Sequence, residues 1–128
     1  MTIIETQKAP AAIGPYSQAI KVGNLVYTSG QIPLVPSTGK IEAADIAGQT
    51  EQAIQNLSEV LKASGSDLNS VVKTTCFLSD INHFAAFNEI YARYFTGKPA
   101  RSCVEVSNLP KGALVEIEAV ALCRAAEV

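Results

Sequence analysis

An α+β domain with two helices on one face of a mixed sheet is the fold that this sequence predicts. Three observations carry it. Strand-like and helix-like segments alternate in the order β-β-α-β-α-β-β, two of them are amphipathic at helical spacing, and two strands are apolar on both faces. At 128 residues the chain fits one domain, 1–128, with a single core.

Ala9 to Tyr16 is rich in Pro and Gly and reads as irregular chain before the first strand. Ile20–Val22 and Leu25–Thr28 flank Gly23-Asn24, a pair that supplies the positive φ values of a tight hairpin turn. The second strand runs into Ser29-Gly30, where a glycine suggests a kink or a close approach of the backbone to another group. Pro33, Pro36 and Gly39 mark a loop.

Asp45 can cap a helix over 46–64. Ile46, Ala53, Leu57, Val60 and Leu61 share one side of it, and Gly65 can stop it. Val71–Leu78 is rich in β-branched residues and reads as a strand. A second helix is expected over 82–95, with Phe84, Phe87, Ile90, Tyr91 and Tyr94 on one stripe. Arg101–Val106 and Leu114–Cys123 complete the strands. Two helices can cover only one sheet face, so the apolar side chains on the other face point to an oligomer.

Composition narrows the function classes. The formal net charge is −2 and Lys and Arg are scattered, so no basic stripe for nucleic acid is present. The apolar run Ala113–Cys123 is broken by Glu116 and Glu118 and is too short to span a bilayer. No secretory signal is visible at Met1–Thr6, and the cytosol is the expected compartment. Cys76, Cys103 and Cys123 are widely spaced and form no CxxC, so neither a disulfide framework nor a zinc site is expected. Motifs for nucleotides, zinc proteases and α/β-hydrolases are absent.

Few residues remain to carry chemistry. Alternation puts Arg101, Cys103 and Glu105 on one strand face, where a guanidinium can take a carboxylate with two parallel hydrogen bonds. An isolated arginine in that position more commonly makes a rim salt bridge. Glu116 and Glu118 share a face of the last strand, either as a solvated face or with one of them orienting water as a general base. Cys103 reads as a nucleophile or, more commonly, as a small buried residue. Tyr16 packs a loop or covers a site. The only histidine, His83, lies at the start of a helix, where a capping or exposed role is the commoner one.

Several segments, in order along almost the whole chain, resemble the Rid (reactive intermediate deaminase, YjgF-like) family. They are Ala11-Ala-Ile-Gly-Pro-Tyr-Ser17, Thr28-Ser-Gly-Gln-Ile-Pro33, Val72-Lys-Thr-Thr-Cys-Phe-Leu78, Pro99-Ala-Arg-Ser-Cys-Val-Glu-Val106, Leu109-Pro-Lys-Gly112 and Ile117-Glu-Ala-Val-Ala121. The resemblance implies a chorismate-mutase-like (bacillus type) α+β fold, assembled as a homotrimer with a central β-barrel and active sites between subunits. It implies a cytoplasmic, metabolite damage-control enzyme that uses no cofactor or metal. Such an enzyme hydrolyses 2-iminobutanoate and 2-iminopropanoate, the imines that serine and threonine dehydratases release, to 2-keto acids and ammonia. The alternative from another class is a non-catalytic trimer that binds or senses small keto or amino acids.

Matched residue by residue, the resemblance gives Arg101 the substrate carboxylate and Glu116 the attacking water. It places Tyr16, Ser29, Gly30, Asn88 and Cys103 around the substrate and leaves Glu118 structural. One departure stands out. Many relatives carry a longer segment and an aromatic residue before the Pro-Ala-Arg motif, and here Thr96-Gly-Lys98 is short and ends in a lysine.

Overall fold

A meander and a βαβ unit meet in the middle of one sheet. The structure, a computed structural model, describes residues 1–124. Its strands are β1 (Thr2–Ile4), β2 (Ala19–Val22), β3 (Leu25–Thr28), β4 (Leu34–Val35), β5 (Lys40–Ile41), β6 (Val71–Leu78), β7 (Ala100–Glu105) and β8 (Val115–Leu122). The helices are α1 (Ile46–Ala63) and α2 (Phe84–Tyr94). Six strands form the sheet in the order β1-β2-β3-β8-β6-β7, with β6 and β7 parallel and the other pairs antiparallel. The α+β class and the mixed sheet with two helices on one face agree with the sequence reading.

Local chemistry sets the ends of α1. The Asp45 carboxylate accepts the Gly48 N–H at 2.9 Å. At the other end Gly65 takes φ 77°, its N–H reaches Lys62 O at 3.1 Å, and the Ser66 N–H reaches Leu61 O at 2.9 Å. That pair of bonds is a Schellman stop. Between the caps, Ala53, Ile54, Leu57, Val60 and Leu61 are fully buried against Cys76, Leu78, Val115, Ile117 and Ala121. Each Ile, Leu or Val side chain among them contributes roughly 1.5–3 kcal/mol.

Buried polar groups fix the loops that flank the sheet. The Asn56 amide donates to Ile32 O and Leu34 O at 3.0 and 2.8 Å, which ties the chain after β3 to α1. Gln49 Oε1 accepts the Leu114 N–H at 2.8 Å and sets the entry to β8. Across the middle of the sheet, Thr28 Oγ1 accepts the Ala119 N–H at 3.0 Å.

Some expectations need correction. Helix α2 begins at Phe84 and not at Asn82, because Asp80 folds Ile81–His83 into a 3-10 turn by accepting the Asn82 N–H at 2.9 Å. Strand β1 was not expected; three residues give little pattern, and its pairing (Ile4 with Ala19) is non-local. The Pro33–Gly39 loop carries part of a small hairpin, β4 with β5, closed by Thr38 and Gly39 N–H bonds to Val35 O. The other sheet face is bare: Tyr27, Val104 and Leu122 lie on it at 44–47% exposure. Among the described residues no helix is long and apolar enough to cross a membrane.

Candidate active site

Strand β7 presents Arg101 beside Thr74 of β6, and Cys103 beside Cys76, in parallel register. Thr74 and Cys76 are fully buried under the helices, so Arg101 and Cys103 lie on the helix-covered face, at its edge. There α2 supplies a seat for the guanidinium. Its carbon stands 4.7 Å from the Tyr91 ring centroid and 5.5 Å from that of Phe84. Nη1 donates to Asn88 Oδ1 at 2.6 Å. Tyr91 is itself fixed, by a 2.7 Å hydrogen bond between its hydroxyl and Thr74 and by stacking on Phe95 at 4.3 Å.

These groups open into a cleft of about 590 Å³ lined by Asn88, Tyr91, Phe95, Lys98 and Arg101. Burial pushes the Cys103 thiol up, and Arg101 pulls it down by less. The Cys76 thiol is pushed up to about 12, chiefly by burial. Thiols held protonated in this way supply no ready nucleophile.

Glu116 belongs to the opposite side of the sheet. It pairs with Phe77 and Glu118 pairs with Thr75, and those residues alternate with the buried Cys76 and Leu78. Gly30 makes room for it. A Cβ at Gly30 would stand 2.6 Å from Glu116 Cδ and 2.9 Å from Cγ, so only glycine lets the acid lie along this backbone. The segment is held in place because Gln31 and Ile117 exchange backbone bonds at 2.8 and 3.1 Å. Burial raises the Glu116 carboxyl above its ordinary value, and the like charge of Glu118 raises it further. A pocket of about 270 Å³ joins Glu116 to Tyr16, Gly30, Gln31 and Lys111.

The seven residues expected at the site therefore fall into two groups within one chain. Arg101, Asn88 and Cys103 sit on the helix face, while Glu116, Gly30 and Tyr16 share a pocket on the bare face. Ser29 directs its hydroxyl to Ser17 O at 2.5 Å and steadies the second group from behind. Glu105, read on the Arg101 face, accepts the Ile81 N–H at 2.8 Å. His83 lines neither cleft. Sequence reasoning missed the role of Phe84 and Tyr91 as a seat for Arg101, since both read as part of one apolar stripe. Among the described residues no three His, Cys, Asp or Glu side chains converge as metal ligands.

Comparison with known proteins places the chain among close relatives. The sequence model described as Endoribonuclease L-PSP matches residues 6–123. A RutC family protein of Pyrococcus abyssi is 54% identical over 120 residues, covering 93% of this chain and 94% of that protein. The mouse protein named 2-iminobutanoate/2-iminopropanoate deaminase is 52% identical over 121 residues, 94% of this chain and 90% of its own. Among solved structures, that of TdcF from E. coli with bound serine superposes with a TM-score of 0.92 at 44% identity, covering 97% of this chain and all of the other.

Proposed function

The chain belongs to the Endoribonuclease L-PSP family, which includes the reactive intermediate deaminases that its sequence resembles, and from that membership we propose that it hydrolyses 2-iminobutanoate and 2-iminopropanoate to 2-keto acids and ammonia. The observation that carries this reading is identity above 50% over more than 90% of the chain with proteins named for that activity. The word endoribonuclease in the family description finds no support in the residues: the formal charge is −2 and the single histidine lines neither cleft.

The chemistry suits two half-sites. A protonated imine carbon is already electrophilic, so hydrolysis needs a held carboxylate, a placed water and a proton acceptor. Arg101, with Nη1 taken by Asn88, keeps its other N–H groups for the substrate carboxylate. Such charge-assisted bonds contribute roughly 1.5–3 kcal/mol. The Glu116 carboxylate takes one proton as the water oxygen bonds to C2 and returns it to the nitrogen. Collapse of the carbinolamine then forms the C=O bond, loses the hydroxyl proton and expels ammonia. A carboxyl raised toward neutrality is the better base for that step.

Arg101 and Glu116 cannot meet across the sheet that separates them, so the working site joins the Arg101 cleft of one subunit to the Glu116 pocket of the next. We assign the assembly as a homotrimer of single-domain subunits whose bare sheet faces line a central barrel, working in the cytosol. That packing would cover Tyr27, Val104 and Leu122 and remove an apolar face from water.

Subunit mixing tests both claims. A threonine dehydratase generates 2-iminobutanoate, semicarbazide competes for it, and suppression of semicarbazone reports turnover. Arg101→Ala and Glu116→Gln are each expected to be inactive, whereas trimers reassembled from equal parts of both recover about a quarter of wild-type activity, because one neighbour pair in four joins two intact halves. No recovery in verified mixed trimers would defeat the inter-subunit site. A folded wild type without turnover would favour the non-catalytic binder.

A further inference from the structure

Two lysines mark the rims of the two half-sites. Among the described residues Lys98 (φ 52°) and Lys111 (φ 57°) are the only non-glycine residues in the left-handed region. A lysine gains nothing from that backbone, which glycine adopts without side-chain strain. Each also stands next to a glycine, Gly97 and Gly112, so neither loop lacks a small residue nearby. Strained residues of this kind collect at functional sites. Lys98 lines the Arg101 cleft and Lys111 the Glu116 pocket.

Charge gives the strain a purpose. The described ion pairs are Lys62–Glu59 and Arg93–Glu89, so Lys98, Arg101 and Lys111 all lack an acidic partner among the described residues. Joined across subunits, the half-sites bring three cations, Arg101, Lys98 and Lys111, against Glu116 in the pocket and Glu118 beside it on the same strand face. The excess does not follow from overall composition, since the chain carries a formal charge of −2. A protonated imino acid with one carboxylate is neutral overall and needs one guanidinium. With Arg101 on that carboxylate, Lys98 and Lys111 still leave an excess of one positive charge over the two acids, enough for a second anionic group.

We propose that Lys98 and Lys111 are specificity-determining residues that fit the site to imino acids bearing a second carboxylate, such as the imine of a four-carbon keto diacid. This rests on the inter-subunit deaminase site described above. Lys98 precedes Arg101 by three residues, so their Cα atoms are at most about 10 Å apart. The lysine stem can therefore bring its ammonium to the far end of a short diacid held at C1 by Arg101. Lys111 closes on the same end from the neighbouring subunit.

The test compares two imines on the full-length assembly. A flavin-dependent oxidase acting on aspartate supplies the dicarboxylic imine, and a threonine dehydratase supplies 2-iminobutanoate. Wild type is expected to process the dicarboxylic imine with a kcat/KM at least equal to that for 2-iminobutanoate. Lys98→Gln and Lys111→Gln keep a polar side chain, one atom shorter, and the backbone demand but remove charge. Each is expected to lower the dicarboxylic-to-monocarboxylic ratio roughly 3–10-fold, through KM, and the pair roughly 10–100-fold, with 2-iminobutanoate turnover within about threefold of wild type.

An unchanged ratio in the double variant overturns the proposal. So does a wild type that is active on 2-iminobutanoate and inactive on the dicarboxylic imine, and this outcome leaves the deaminase reading intact. Inactivity on both imines removes the deaminase reading and the inference with it. Binding of the two product keto acids by calorimetry gives a second readout: equal loss of affinity for both in the double variant also counts against a specific role.

Discussion

Arg101 and Glu116 are both charged side chains on strands of one sheet, and they are held by opposite means. Arg101 is fixed by contacts: a ring below it, a second ring beside it, and an amide oxygen on Nη1. Glu116 is held by shape, in space that only a glycine leaves open. Burial raises its carboxyl, and no hydrogen bond offsets that effect. In the proposed mechanism the group that stays charged throughout the reaction is the one bonded in place. The group proposed to exchange a proton is desolvated, so its two protonation states lie closer in energy.

The largest expected effect breaks the Glu116 side of this comparison. Glu116→Gln should lower kcat roughly 10²–10⁴-fold, the usual range for loss of a general base. The same substitution should raise Tm at neutral pH. A carboxyl raised in the folded state binds its proton more tightly there, so its contribution to stability is complete below the unfolded value and lost as pH rises through the folded one. Glutamine cannot ionise and keeps what the acid loses. Melts at pH 7.5 should show the gain, and melts near pH 4 should not. A variant less stable than wild type at pH 7.5 would mean that the ionised acid is well solvated.

Next in size is a test of the Arg101 side. Asn88→Ala leaves the ring seat intact and frees Nη1 to water. That bond is charge-assisted and worth roughly 1.5–3 kcal/mol, and water on the freed Nη1 restores part of it, which leaves a loss of about 1 kcal/mol, or roughly fivefold. It should appear as a higher KM for 2-iminobutanoate with kcat within about twofold, since the carboxylate is held equally before and during reaction. A fall in kcat with KM unchanged would instead give Asn88 a role at the reacting carbon.

These two residues also show what a sequence can and cannot disclose. The face of Arg101 followed from strict alternation along β7, and the span of α1 followed from Asp45 and Gly65, because caps and period are local. Glu116 could not be told from Glu118 by spacing, since they share a face and a chemistry. What separates them is Gly30, brought alongside by the Gln31–Ile117 bridge between distant parts of the chain. Alternation likewise gives the two faces of each strand and not the matching of faces between strands. The division of the expected site residues between two sheet faces therefore emerged only with the β6–β7 and β6–β8 registers. Strands β1, β4 and β5 escaped because two or three residues carry no period.

The smallest expected effect sharpens the comparison most finely, by separating the two causes that raise Glu116. Burial is the larger and the charge of Glu118 the smaller. Glu118→Gln removes the second and leaves the first, so the carboxyl should fall only part of the way toward its ordinary value. The acid limb of the kcat/KM profile should move to lower pH, with the plateau within about twofold of wild type. Both acids are partly exposed, so added salt should weaken the Glu118 contribution to the wild-type limb. A limb that does not move would assign the whole shift to the space beside Gly30, and Gly30 would then tune the base as well as seat it.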